Sequence, residues 1–241
     1  MKKQNRFEFK YVMTKQKAQL IERYLDRVGI KRDAQGENGA YIVVSLYCDT
    51  PYREDYYDKL SGLAHRRKLR FRIYDETFVG APPQVWLEVK EKHDMTIQKQ
   101  RVAIAGNEWS QIFSNKTAGT ANVVAWLQMK APAFAYLFAQ KNYRPQVIVQ
   151  YRRKAYVGEF TAPFRLTFDD DIVACRWREF QQSGAPFTSV LREKVVMEVK
   201  FRDALPWWFG DIVYRFQLSR QAFSKYTYAV DALNRFNLLP R

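Results

Sequence analysis

The chain has 241 residues, of which 47% are hydrophobic and 16% aromatic, enough apolar material to bury a sizeable core. Its 40 Lys and Arg against 25 Asp and Glu leave a formal charge of +15, a field that attracts polyanions. With only two His and two Cys, the composition argues against a His-rich metal site, a Ser-His-Asp triad and a disulfide scaffold.

Taken in chain order, alternation predicts a strand at 6–12 and the helical period an amphipathic helix at 14–28, with Thr14 as its cap. A polar loop at 29–39 leads to a strand at 40–48, and a turn or short helix follows at 51–60. Strands are predicted at 67–75 and 84–92, joined by a hairpin marked by Ala81-Pro82-Pro83, and at 98–104. Residues 107–141 change character. Trp109, Ile112 and Phe113, then Val123, Val124, Trp126 and Leu127, then Phe134, Leu137 and Phe138 recur at helical spacing, predicting a helical insertion. Strands resume at 145–158, 163–169, 172–178 and 192–202, before a helix at 206–217, a loop at 218–224 and a last helix at 225–236. No linker or low-complexity segment divides the chain, so 1–241 reads as a single domain.

The strands share a feature. In Lys68-Leu69-Arg70-Phe71-Arg72-Ile73 the period of two places Lys68, Arg70 and Arg72 on one face and Leu69, Phe71 and Ile73 on the other. The segments Arg6 to Tyr11, Val85 to Lys90, Phe164 to Asp169 and Val195 to Phe201 repeat the arrangement. An ordinary solvated strand face explains any one of these. A polar face made almost wholly of Arg, Lys and Glu in all of them points instead to one shared charged surface. About eight strands, mostly adjacent in sequence and so antiparallel, predict an α+β fold: an eight-stranded antiparallel β-barrel forming a tunnel, with helices packed outside. Charged faces turned inward require a compensating polyanion, because unpaired buried charge is costly.

Phosphate chains suit such a lining, since Arg forks bind phosphate bidentately and Lys supplies a mobile point charge. The candidates are Lys10, Lys59, Arg70, Arg72, Lys90, Lys99, Arg101, Arg153, Arg165, Lys200 and Lys225. A divalent metal needs hard oxygen donors, for which Glu8, Glu88 and Glu198 are in place, with Asp169 and Asp171 in reserve. For each Glu an ion pair with its neighbouring Lys is an equally open reading. There is no GxxxxGK[ST] or GxGxxG loop to cradle a nucleotide. The basic run His65-Arg66-Arg67-Lys68 reads as a nucleic-acid patch or, the commoner case, a solvated loop leading into a strand, and no specific nucleic acid is expected. No secretory signal precedes Glu8, no apolar stretch is long enough to span a bilayer, and lone Cys48 and Cys175 fit a reducing cytoplasm.

Eight ordered segments resemble the VTC domain, the polyphosphate polymerase module of the triphosphate tunnel metalloenzyme superfamily. They are Arg6-Phe7-Glu8-Phe9-Lys10-Tyr11, Leu46-Tyr47-Cys48-Asp49-Thr50, Lys68-Leu69-Arg70-Phe71-Arg72, Trp86-Leu87-Glu88-Val89-Lys90, Tyr151-Arg152-Arg153-Lys154-Ala155-Tyr156, Arg165-Leu166-Thr167-Phe168-Asp169, Met197-Glu198-Val199-Lys200 and Phe223-Ser224-Lys225-Tyr226. The resemblance implies an enzyme that moves the γ-phosphoryl of ATP onto a growing polyphosphate chain with Mn²⁺ or Mg²⁺. It implies phosphate contacts for Lys10, Lys59, Arg70, Arg72, Lys90, Arg153, Arg165 and Lys225, a metal ligand in Glu198, and Ser224 and Lys200 beside them. Lys59 stands where the family carries an Arg. Arg6 stands where the wider superfamily's ExExK motif has its first Glu, which removes one carboxylate and favours polymerase over hydrolase. ATP and polyphosphate are the implied partners, in the cytoplasm, with a membrane-protein partner left open. Two alternatives remain, a metal-dependent triphosphatase of the same fold and a non-catalytic polyphosphate or nucleic-acid binding module.

Overall fold

The alternating segments fold as strands in a computed structural model that describes residues 6–74, 82–93, 96–113, 120–159, 163–179, 186–202 and 204–235. Residues 1–5, 75, Ala81 of the hairpin mark and residue 236 lie outside them. In order, the first elements are β1 (Arg6–Thr14), α1 (Lys15–Arg27), β2 (Lys31–Arg32), β3 (Ala40–Asp49), α2 (Glu54–Leu60), β4 (His65–Ile73), β5 (Gln84–His93) and β6 (Thr96–Ala105). The insertion is three helices, α3 (Gly106–Phe113), α4 (Thr120–Lys130) and α5 (Pro132–Lys141). Then come β7 (Arg144–Glu159), β8 (Pro163–Arg176), β9 (Thr188–Ser189), β10 (Lys194–Arg202), α6 (Trp207–Arg215) and α7 (Lys225–Arg235). Thr14 caps α1 as expected, its hydroxyl accepting the Lys17 N–H at 3.3 Å. The strands expected at 163–169 and 172–178 are the single strand β8. Asp171 sits within it at φ 49°, a left-handed conformation that Asp tolerates better than most residues.

The fold is α+β. Hydrogen bonding runs β1-β10-β8-β7-β3-β4-β5-β6, with β2 on β7 and β9 on β8. Where the sequence predicts a closed or nearly closed barrel, the sheet among the described residues is not closed: the eight-strand path has ends at β1 and β6. The reason at β1 is local. Its outer edge is already taken, because the Gln221 N–H donates to the Lys10 carbonyl at 2.9 Å and Arg220 bridges Tyr11 antiparallel.

The chain divides into two units, and three strands, β3, β7 and β8, each have residues in the two. One comprises residues 1–42, 150–173 and 189–224. Its core forms where the apolar faces of β1, β8 and β10 meet α1 and α6, with Ile21, Leu25, Leu166, Met197, Val199 and Phe209 fully buried. The other comprises 43–149, 174–188 and 225–241. There Leu69, Phe71 and Ile73 of β4 and Leu87 and Val89 of β5 are buried, and Phe71 packs on Trp109 of α3 at 5.2 Å and Phe138 of α5 at 6.2 Å between ring centroids. The apolar half of the alternation therefore lies under the insertion helices. The sheet's other face carries the charges.

Candidate functional site

In the second unit the antiparallel register sets the charged residues in cross-strand rows. Tyr47, Arg70, Glu88 and Arg101 stand opposite one another on β3, β4, β5 and β6, and Lys68, Lys90 and Lys99 form the next row. Glu88 is 1% exposed and is the hub. Arg70 donates to its Oε2 from Nε at 2.8 Å and from Nη2 at 2.7 Å, Arg72 lies 3.7 Å from the same oxygen, and Lys99 pairs with Oε1. Burial works against the Glu88 charge, but Arg70, Arg72 and Lys99 outweigh it and hold the carboxyl well below its usual range. The Glu88 of the metal expectation is thus engaged as an ion pair, with cations from the flanking strands.

Around this hub Arg72 donates from Nε to Ser45 Oγ at 3.1 Å, and the Tyr47 hydroxyl accepts from Arg70 Nη1 at 3.1 Å. Arg101 lies over the Trp86 ring, 4.2 Å from its centroid. Lys225 opens α7, next to Tyr226, whose ring stacks on Tyr47 and whose hydroxyl donates to buried Asp49 at 2.7 Å. Lys59 is in the last turn of α2, a helix packed on β4 and α7, so it alone of this unit's candidates is outside a strand face or the α7 start.

The first unit holds a second group. Lys10 faces Glu198 across β1 and β10, Glu8 faces Lys200, and Lys200 faces Arg165 on β8. The Lys10 ammonium lies 3.1 Å from Glu8 and 3.5 Å from Glu198 and donates to the Phe223 carbonyl at 3.1 Å, while Lys200 pairs with Glu198 at 2.5 Å. Arg153 is buried in a bidentate pair with Asp169, at 2.6 and 2.8 Å. Burial works against its charge, but Asp169 outweighs this and holds the guanidinium well above its usual value. Arg165 pairs with Asp33 at 2.5 Å and donates to the Tyr41 hydroxyl at 3.0 Å. Ser224 is buried. Asp171, held in reserve as a metal ligand, pairs with Lys15 at 2.8 Å and is half exposed.

So Arg70, Arg72, Glu88, Lys90, Lys99 and Arg101 share one sheet face, and Glu8, Lys10, Arg165, Glu198 and Lys200 share another. The sequence reading missed Tyr47, Asp33 and Tyr41. Tyr47 had a signal, since it has the parity of Ser45 and Asp49 on the charged face of β3. Tyr41 shares that parity on β3, whereas Asp33 had no signal, because the loop that carries it to Arg165 follows no period.

A profile of the VTC domain matches residues 5–234. The chain belongs to the VTC family. Among curated proteins, none matches it in sequence. In structure, this VTC chain is similar to HpAC1 of Hippeastrum, described as a proposed adenylyl cyclase that reveals a dominant triphosphatase activity. The two share 12% identity at a TM-score of 0.52, over 93% of this chain and 94% of that one. Weaker likenesses are a proposed adenylate cyclase from Bacillus halodurans (12% identity, TM-score 0.49, 93% and 96% covered) and PH1819 of Pyrococcus horikoshii (10%, 0.49, 96% and 99%). The VTC chain shares the fold of the triphosphate tunnel proteins.

The metal expectation rests on the first unit's carboxylates. Glu8 and Glu198 already bracket one positive charge, the Lys10 ammonium, from adjacent strands. Among the described residues no three Asp, Glu, His or Cys converge. Two hard-oxygen donors fit an ion such as Mg²⁺, which takes one or two carboxylates and completes its shell with water and phosphate oxygens.

Proposed function

We propose that this VTC domain is a polyphosphate polymerase that transfers the γ-phosphoryl of ATP to a growing phosphate chain. The observation that carries the reading is the cross-strand row Lys68, Lys90 and Lys99. The row sets three cations side by side on adjacent strands of one face, where an extended polyanion laid across the strands meets each in turn. Membership of the VTC family supports the same substrate class.

Phosphoryl transfer needs positioning, in-line geometry and charge neutralisation more than covalent help. The terminal phosphate of the chain is an ionised nucleophile and needs no general base. Arg70, Arg72, Lys90 and Lys225 bind and orient phosphate oxygens in the second unit, with Arg101 able to swing from Trp86 to join them. Lys10, Arg153, Arg165 and Lys200 serve in the first, with Ser224 and Lys59 as further contacts. Glu198, with Glu8, would hold Mn²⁺ or Mg²⁺, which when bound neutralises charge on the transferred group.

The test is incubation with ATP and Mn²⁺ and sizing of the products: long phosphate chains are expected. Phosphate released one for one with ATP, and no polymer at any primer concentration, replaces this reading with the second, triphosphate hydrolysis, an activity ascribed to HpAC1. Binding without turnover leaves a binding module. No helix among the described residues is long and apolar enough to cross a membrane. A cytoplasmic location and a membrane-protein partner belong to the same proposal.

A further inference from the structure

Tyr47 is 4% exposed and stands opposite Arg70 on the charged face. Its position is fixed from behind. The Tyr226 ring stacks on it at 5.3 Å and 25°, and Tyr226 is itself fastened to Asp49, a carboxylate that also accepts the backbone N–H groups of Thr50, Asp55 and Tyr56. The Tyr47 oxygen accepts one hydrogen bond, from Arg70. A phenol also has a proton to donate. Among the described residues that proton meets no acceptor, and the charged groups that act on it most strongly, Arg70, Arg72 and Lys225, are donors only. A buried donor left unmatched is costly, and such groups in native proteins call for an explanation.

We infer that Tyr47 is a substrate-binding residue, its hydroxyl donating to a non-bridging oxygen of the phosphate chain while Arg70 meets the same phosphate. This rests on the reading of the charged face as a phosphate site. The local field supports it: burial opposes the Tyr47 phenolate, but Arg70, Arg72 and Lys225 outweigh burial and hold the phenol below its ordinary value, which makes its O–H a stronger donor. A residue that only steadied Arg70 would act differently, because its loss would remove a cation contact rather than a neutral donor.

The experiment is calorimetric binding of inorganic tripolyphosphate, without turnover, to the wild-type chain and Tyr47→Phe at several salt concentrations. Both are compared at a temperature where circular dichroism finds them folded. Phe keeps the stack on Tyr226 and loses only the hydroxyl. Binding is expected to weaken roughly 10- to 100-fold, the loss of one hydrogen bond to a charged group. The slope of log affinity against log salt, which counts cation contacts, is expected to stay as in wild type. A change under about twofold, or a loss with a shallower slope, overturns the inference while the phosphate site stands. A wild-type chain that binds no tripolyphosphate overturns both.

Discussion

Arg153 and Arg165 carry the same charge into different surroundings. Arg153 is sealed against Asp169 in a bidentate pair, whereas Arg165 is half-buried beside Asp33 and Tyr41. Removing one partner of a buried pair leaves the other uncompensated, so Arg153→Ala is expected to cost about 3–5 kcal/mol in urea unfolding. The double replacement Arg153→Met with Asp169→Leu should recover most of that loss. Both Ala variants should weaken tripolyphosphate binding, but Arg165→Ala should leave the urea midpoint nearly unchanged. Glu198→Gln is expected to abolish turnover while phosphate binding persists; undiminished product formation would remove Glu198 from the metal site. Asp55 gives a pH signature. Burial first, then Asp49 and Asp58, raise its carboxyl to about 7, with Tyr143 and Arg67 opposing. The folded protein therefore holds that proton more tightly than the unfolded chain does. Asp55 lowers stability progressively as pH rises from the ordinary carboxylate value through about 7. The melting temperature of wild type should carry this fall between those limits, and Asp55→Asn should flatten it. At this scale the sequence disclosed which residues are charged and on which strand face. It could not disclose that Glu88 is held by Arg70, Arg72 and Lys99 rather than by Lys90, because that pairing depends on cross-strand register.

Register also decides the behaviour of whole elements. The row Lys68, Lys90 and Lys99 places like charges on three adjacent strands. Tripolyphosphate is expected to raise the urea midpoint of Lys90→Gln less than that of wild type, since the variant gains less from the ligand; midpoints measured with and without it check this. The strands of this row were legible because a period of two is written directly into Lys68 to Ile73 and Val85 to Lys90. The helix α1 was legible from Thr14 and the buried Ala18, Ile21 and Leu25. The edge of β1 was not, for its partner lies in 220–221, some two hundred residues away in a loop with no periodic signal.

For the molecule as a whole, the +15 charge is distributed along many strands rather than gathered at one point. Contacts spread in this way favour an extended polyanion over a single triphosphate. Polyphosphate is expected to compete with ATP, and that competition should weaken steeply as salt rises, as many cation contacts require. Salt-insensitive competition would leave the distributed reading without support. The covered edge of β1 acquires a further meaning in this setting. A long phosphate polymer gathers many copies of a basic protein side by side, the circumstance in which bare strand edges find one another and grow into fibres. Here the 220–221 segment blunts one end of the strand order, and Lys99 and Arg101 stud the strand at the other. On the proposed phosphate polymer, these two ends are expected to keep crowding from becoming aggregation.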